Sequence, residues 1–85
     1  MVIASSITAA RPELAERVST IANAIRRLRF EHGEMTQQAL ADQIGVTRQT
    51  VHAIESGKYF PSLEVAFRMA AAFDTPLEDV FQYRP

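Results

Sequence analysis

The sequence contains no cysteine and no tryptophan, and it has only three glycines and four prolines among 85 residues. Without cysteine the chain can form neither a disulfide framework nor a cysteine-ligated zinc site, and it has no thiol nucleophile. No apolar run approaches the roughly 20 residues that a membrane-spanning helix needs. These absences exclude a disulfide-stapled scaffold, a thiol enzyme and a helical membrane protein.

The chain also lacks an excess of charge, since nine basic and ten acidic residues give a formal net charge of −1. A near-neutral total argues at first against nucleic acid, because phosphate neutralisation usually supplies much of the affinity. The distribution is uneven, however, with basic residues gathered at 26–29 and acidic residues at 74–79. A polarised molecule can present a basic face while its charges sum to about zero. The alternative is that these charges only solvate helix surfaces.

The length of the chain predicts one small domain with one modest core and no separate catalytic or ligand-binding domain. Its N-terminus, MVIASSITAARPELAERV, has neither the basic start nor the long apolar block of a signal peptide. We therefore expect a cytoplasmic protein. No phosphate loop, metal-spaced cluster or nucleophile motif is present, so we expect no enzyme, no cofactor and no metal site.

The most informative segment is TQQALADQIGVTRQTVHAIESG, residues 36–57, where two short helical patterns meet at a turn centred on Gly45. Thr36 is predicted to cap the first helix. Gly45 can adopt the left-handed conformation that ends this helix, and Thr47 then caps the second. Two helices joined by so short a turn predict a helix-turn-helix.

In the second of these helices, Val51 and Ile54 are three residues apart and form a buried stripe with Val46. The residues left facing outward are Arg48, Gln49, Thr50, His52 and Ala53. An exposed helix start of this composition suits the base edges of a major groove, because Arg can fork onto guanine and Gln onto adenine. For each residue the alternative is an ordinary solvent-exposed side chain.

Over roughly residues 22–82 the chain resembles the helix-turn-helix domain of the lambdoid phage repressor and Cro class, also called the xenobiotic response element family. The motifs that carry the resemblance are LR at 28–29, TQQALA at 36–41, IGVTRQTV at 44–51, IESGK at 54–58 and PSLEVAFRMAAAF at 61–73. The resemblance implies a compact all-α fold of five helices, like that of lambda repressor. It also implies a regulator of transcription that binds double-stranded DNA.

The resemblance further implies which residues meet DNA. Gln37 would contact phosphate and orient the recognition helix, and Lys58 would bind phosphate from the following loop. Relatives often carry a longer polar reader at the position of Ala53, where alanine can only touch a thymine methyl group or allow close approach. The full predicted set is Gln37, Thr47, Arg48, Gln49, Thr50, His52, Ala53, Ser56, Lys58 and Tyr59. A structural ion pair between Arg29 and Glu55 is also implied.

The N-terminal part carries an apolar stripe with spacings of four and three residues, formed by Leu14, Val18, Ile21, Ile25 and Leu28. This spacing predicts a helix from about Pro12 to His32, although Ser19, Thr20 and Asn23 are weak helix formers that can mark a break. We divide the chain into an N-terminal extension, residues 1–21, helical from about residue 12, and a DNA-binding domain, residues 22–85. The stripe of the extension packs either on this domain or on a second chain.

Two further helices are predicted after the helix-turn-helix. Ser62 is expected to cap the fourth, with Leu63, Ala66, Phe67, Ala70 and Phe73 along one side. The fifth runs from Pro76 to about Phe81, with Leu77, Val80 and Phe81 facing inward. No strand alternation is evident, so the prediction is all-α.

The predicted function is a repressor that binds an inverted-repeat operator as a homodimer. Its two-fold interface is either the N-terminal stripe or an apolar C-terminal patch of Val80, Phe81 and Tyr83, and the family's habit of pairing through its last helix favours the patch. The alternative is an antitoxin whose extension wraps a protein partner and whose DNA binding is secondary. A toxin-like reading frame beside the gene would favour that alternative.

Overall fold

The computed structural model describes residues 20–85, which fold into five helices and one sheet of two strands. In chain order the elements are β1 (Ile21–Asn23), α1 (Ile25–Glu31), α2 (Gln37–Ile44), α3 (Arg48–Glu55), α4 (Leu63–Ala72), α5 (Leu77–Val80) and β2 (Phe81–Tyr83). The predicted compact fold of five helices is confirmed. The small sheet was not predicted.

Three of the helices begin at side-chain caps that the sequence predicts. The hydroxyl groups of Thr36, Thr47 and Ser62 accept hydrogen bonds from the backbone N–H three residues further on, at 2.9, 3.1 and 3.2 Å. Each bond satisfies one of the amides that a helix start leaves unpaired, and a cap of this kind contributes about 1 kcal/mol. The caps fix where α2, α3 and α4 begin.

All five helices contribute to the apolar core. Its buried residues are Ile25, Leu28, Leu40, Ala41, Ile44, Val51, Ile54, Ala66, Met69, Ala70, Phe73 and Val80. Burial of a large aliphatic or aromatic side chain stabilises a fold by about 1.5 to 3 kcal/mol. Because α2 and α3 both anchor in this core, their relative orientation is fixed.

The buried face of α4 differs from the predicted one. Leu63 and Phe67, which were expected to point inward, are 68% and 54% exposed, whereas Met69 is completely buried. The buried stripe therefore runs through Ala66, Met69 and Ala70 to Phe73. A helix with apolar residues on two adjoining faces leaves its inward face undetermined by sequence, and packing against the other helices decides it.

The sheet joins the two ends of the described chain. β1 and β2 run antiparallel, with Ile21 opposite Tyr83 and Asn23 opposite Phe81. Two further backbone hydrogen bonds extend the pairing, from Ala24 N–H to the Val80 carbonyl at 2.9 Å and from Arg84 N–H to the Thr20 carbonyl at 2.6 Å. The chain thus enters and leaves the helical bundle at one place.

The predicted continuous helix from Pro12 to His32 is wrong in its described part, because residues 21–23 form a strand and α1 begins only at Ile25. The break occurs beside Asn23, one of the weak helix formers. The predicted boundary between residues 21 and 22 falls inside β1. Leu14, Val18 and the rest of the predicted extension before residue 20 lie outside the described residues.

Candidate nucleic-acid interface

The turn between α2 and α3 has the predicted left-handed glycine. Gly45 has a φ of 78°, and its N–H donates to the Ala41 carbonyl at 2.9 Å. The guanidinium of Arg68 on α4 donates to the Ile44 carbonyl at 3.1 Å and so satisfies one of the last carbonyl groups of α2. This role of Arg68 was not predicted, because no local pattern connects residues 24 positions apart.

The start of α3 presents side chains to solvent as expected. Val51 and Ile54 are at most 2% exposed and anchor the helix in the core. Arg48, Gln49 and His52 are exposed on its other side. In the described part of the chain, Arg48 and Gln49 make no side-chain hydrogen bond or ion pair, so their donors and acceptors face water.

Thr50 and Ala53 are less exposed than predicted, since both are half-buried. The hydroxyl of Thr50 lies 2.9 Å from the hydroxyl of Thr47, and the two share a hydrogen bond within the cap of α3. This hydrogen bond uses part of the hydrogen-bonding capacity of both threonines. Thr50 can still offer a ligand its methyl group and the second lone pair of its hydroxyl oxygen.

Gln37 stands at the first position of α2 and faces α3. Its amide nitrogen is 3.4 Å from Nδ1 of His52 and 3.5 Å from a carboxylate oxygen of Glu55. Both distances are at the outer limit of hydrogen bonding. The side chain is thus placed beside α3 without being held tightly, and it can turn toward a ligand at little energetic cost.

Arg29 and Glu55 form an ion pair that ties α1 to α3. Nε and Nη2 of Arg29 donate to the two carboxylate oxygens of Glu55 at 3.1 and 2.9 Å, and Nη1 donates to the Met35 carbonyl at 2.7 Å. The side chains are only 15% and 13% exposed. This two-pronged geometry is the strong form of a salt bridge. It connects three segments of the chain behind the exposed face of α3.

Asn23 ties the end of α3 to the start of α1, a role that was not predicted. Its amide group donates to the carbonyls of Ile54 and Glu55, both at 3.2 Å, and its side-chain oxygen accepts from Ile25 N–H at 3.1 Å. One side chain thereby satisfies the end of α3 and the start of α1. The only available signal was that asparagine favours helix ends over helix interiors.

The loop after α3 carries the remaining predicted contacts. Ser56 donates from its hydroxyl to the Ala53 carbonyl at 3.1 Å, and Gly57 turns the chain with a φ of 81°. Lys58 and Tyr59 follow, both exposed. Their backbone N–H groups donate to the Ala53 carbonyl at 2.9 and 3.2 Å. The loop is therefore bound to the end of α3, and its side chains project beside that helix.

The basic side chains fall into two groups. Between residues 20 and 85, ion pairs occupy Arg27, Arg29 and Arg68. The other basic residues there are exposed and have no carboxylate partner: Arg26, Arg48, Lys58 and Arg84. The described residues contain no cluster of three or more potential metal ligands. Among the same residues, no helix is long and apolar enough to cross a membrane.

Comparison with known proteins places this geometry in a family. A family model for the helix-turn-helix matches residues 25–80. An uncharacterized HTH-type transcriptional regulator of Methanocaldococcus jannaschii is 48% identical over 61 residues, which cover 72% of this chain and 91% of the relative. The similarly named YgzD of Bacillus subtilis is 48% identical over 59 residues, 69% of this chain and 88% of the relative. A regulator of Methanothermobacter thermautotrophicus is 50% identical over 58 residues, 67% of this chain and 83% of the relative. The chain therefore belongs to the helix-turn-helix family of the lambdoid repressor and Cro type.

Proposed function

We propose that this protein is a sequence-specific DNA-binding regulator that represses transcription by occupying an inverted-repeat operator as a homodimer. In this proposal it acts in the cytoplasm. Its family and the regulator names of its relatives support the DNA-binding part. The exposed start of α3 supports the sequence-specific part.

The proposal rests on the exposure of Arg48 and Gln49 in the first turn of α3. Both side chains are exposed, and neither has a partner among residues 20–85. A guanidinium can donate two hydrogen bonds to guanine, and a carboxamide can donate to and accept from adenine. Because α3 is anchored by Val51 and Ile54, these two side chains are presented on a rigid support, which favours readout of base edges.

Residues beside α3 and at its end support contacts with the DNA backbone in this proposal. Gln37 lies 3.5 Å from the Glu55 carboxylate, Ser56 caps the end of α3, and Lys58 and Tyr59 follow in the exposed loop. Contacts with phosphate fix the register of a protein on the duplex but carry no sequence information directly. We assign sequence reading to Arg48, Gln49 and the methyl groups of Thr50 and Ala53, with His52 at the edge of the interface.

A second copy of the chain is needed for selectivity, because one recognition helix reads only a few base pairs. Two recognition helices about 34 Å apart read two half-sites one turn of the duplex apart. The described residues include an apolar groove of about 440 Å³, lined by Ile21, Phe60, Pro61, Leu63, Ala66, Leu77, Glu78 and Phe81. Leu63 and Phe60 are 68% and 50% exposed there. Exposed apolar surface of this kind marks protein interfaces, so we propose that it is the two-fold contact.

This interface revises the predicted C-terminal patch. Val80 is completely buried and cannot take part, whereas Phe81 lines the groove. Phe81 also packs against the core, so Phe81→Glu would disturb folding as well as pairing. Leu63→Glu is the cleaner test because the side chain is exposed. The N-terminal version of the interface concerns residues before 20, outside the described part, and stays a prediction.

Selection of bound sites from random duplex DNA, followed by footprinting of the selected sequence, tests the proposal. The expected result is an enriched inverted repeat with half-sites about one helical turn apart. Failure to enrich any sequence, with the protein folded, would refute sequence-specific binding. Sedimentation of the full chain should give a dimer, and Leu63→Glu should give a folded monomer. A monomeric wild-type chain at concentrations that saturate the operator would refute the homodimer.

A further inference from the structure

A second groove, of about 910 Å³, brings together residues that are distant in sequence. It is lined by Asn23, Ala24, Arg26, Arg27, Arg29, Gln37, His52, Glu55, Ser56, Gln82 and Arg84. Three of these residues, Gln37, His52 and Ser56, belong to the predicted DNA-binding set. The arginines at 26, 27 and 84 do not, and they come from α1 and from the residue after β2.

The sheet is what brings Arg84 to this groove. The N–H of Arg84 donates to the carbonyl of Thr20, which continues the pairing of β2 with β1. Arg26 lies in the first turn of α1, only three residues after the end of β1. Both ends of the described chain are therefore held next to the start of α1. No helical periodicity in the sequence places Arg84 near Arg26.

The charge of the groove is positive although the whole chain carries a formal net charge of −1. Among residues 20–85, four arginines and one carboxylate line it, and that carboxylate, Glu55, is already neutralised by Arg29. Arg27 is paired with Glu31. Arg26 and Arg84 are exposed, and their guanidinium groups have no acceptor or carboxylate partner among residues 20–85. In the described part of the chain, two unpaired guanidinium groups thus line a groove that has no unpaired carboxylate.

We propose that Arg26 and Arg84 form an additional backbone contact of the DNA interface, in which each guanidinium binds a phosphate of the same duplex that α3 reads. The proposal rests on the proposed DNA-binding function and extends it to residues outside the helix-turn-helix. Guanidinium groups recognise phosphate by paired hydrogen bonds and remain charged at all physiological pH values. The groove shared with Gln37 and Ser56 makes the two sets of contacts continuous.

The expected contribution follows from counterion release. Each phosphate neutralised on duplex DNA adds about 0.9 to the slope of log affinity against log salt concentration. Because each substitution removes one phosphate contact per bound protomer, Arg26→Gln and Arg84→Gln should each lower that slope by about 0.9 per protomer. Between 1 M and 0.1 M salt, the affinity gained should then be about eightfold smaller per protomer than for the wild type. The losses should be equal on operator and random duplexes, because phosphates carry no sequence information directly.

The experiment is a fluorescence-anisotropy titration of both duplexes with the full chain at several salt concentrations, with Arg27→Gln as the matched control. That control removes the same charge from an arginine of the same groove whose guanidinium is already paired with Glu31. Thermal unfolding of each variant verifies that it is folded. Ethylation interference should lose one interfering phosphate position per half-site in Arg84→Gln and a different one in Arg26→Gln.

The outcomes separate this inference from the function on which it rests. If the wild-type chain binds no duplex, the proposed function fails. If the wild-type chain binds its operator but Arg26→Gln and Arg84→Gln match Arg27→Gln in affinity and salt slope, the additional contact is refuted and the proposed function stands. Loss on the operator alone would likewise overturn it, because it would indicate base reading in place of phosphate binding.

Discussion

Removal of either partner of the Arg29–Glu55 pair tests how the recognition helix is held. The pair is two-pronged, mostly buried and shared between α1 and α3, and Arg29 makes a third hydrogen bond to the Met35 carbonyl. Arg29→Ala leaves a mostly buried carboxylate whose nearest remaining donor is the Gln37 amide at 3.5 Å. Glu55→Ala leaves a guanidinium that retains the Met35 carbonyl. The two substitutions should therefore differ in cost.

The loss of unfolding free energy in each variant follows from the geometry of the pair. Two unit charges about 4 Å apart attract by about 4 kcal/mol at an effective dielectric constant near 20. Removing one partner of a buried pair leaves the other charge unpaired and costs about 3 to 5 kcal/mol. We expect the cost of Glu55→Ala to lie at the lower end of this range. Arg29→Ala should cost about 1.5 kcal/mol more, because it also loses a charge-assisted hydrogen bond. The double variant should lose about 2 kcal/mol less than the sum of the two.

The assay is a double-mutant cycle in which urea unfolding is monitored by circular dichroism. The control cycle uses Arg27 and Glu31, an exposed pair on the same helix whose side chains are 59% and 52% exposed. Its coupling should be no more than about 0.5 kcal/mol. If Arg29→Ala is too unstable to show a folded baseline in the urea titration, Arg29→Gln and Glu55→Gln give the same cycle with smaller losses of stability. If the losses of unfolding free energy from the Arg29 and Glu55 substitutions add within about 0.3 to 0.5 kcal/mol, the two side chains are not coupled.

Four further predictions concern single sites. Gln49→Ala and Arg48→Ala should each weaken operator binding by about 1 to 3 kcal/mol and leave random-duplex binding almost unchanged, and equal losses in a filter-binding assay would contradict base reading. Lys58→Ala should weaken binding to both DNAs and lower the salt slope by about one per bound protomer, so an unchanged slope would exclude a phosphate contact. Gly45→Ala should cost about 1 to 2 kcal/mol in urea unfolding, because its φ of 78° is left-handed and the added Cβ would lie 3.4 Å from Nη1 of Arg68. Leu63→Glu should halve the sedimenting mass of a chain that stays folded and should remove the concentration dependence of its melting temperature, and a dimer that survives it would place the interface elsewhere.

The helix-turn-helix was predictable from sequence because its determinants are local. A threonine cap, a glycine at the turn and an apolar stripe with helical spacing act within a few residues of one another. Thr36, Gly45 and Thr47 accordingly have the predicted conformations and hydrogen bonds. The exposed positions of Arg48 and Gln49 follow from the buried positions of Val51 and Ile54 on the same helix.

The sheet could not be predicted in this way, because its two strands have three residues each and pair across almost the whole described chain. Ile21 continued an apolar stripe at helical spacing, yet it pairs with Tyr83 in an extended conformation. The break at Asn23 has a tertiary cause as well, since its amide group binds carbonyls at the end of α3. Backbone pairing between distant segments leaves no periodic signal in either segment.

The helix-turn-helix and the chemistry of the residues at the start of α3 can be read from the sequence, because caps, turns and amphipathic spacing act locally. The inward face of α4 and the placement of Arg26 and Arg84 in one groove depend instead on tertiary packing. Those features depend on which surfaces meet when distant segments pack together. Core packing and strand pairing are set by neighbours in space, which local patterns along the chain do not reveal.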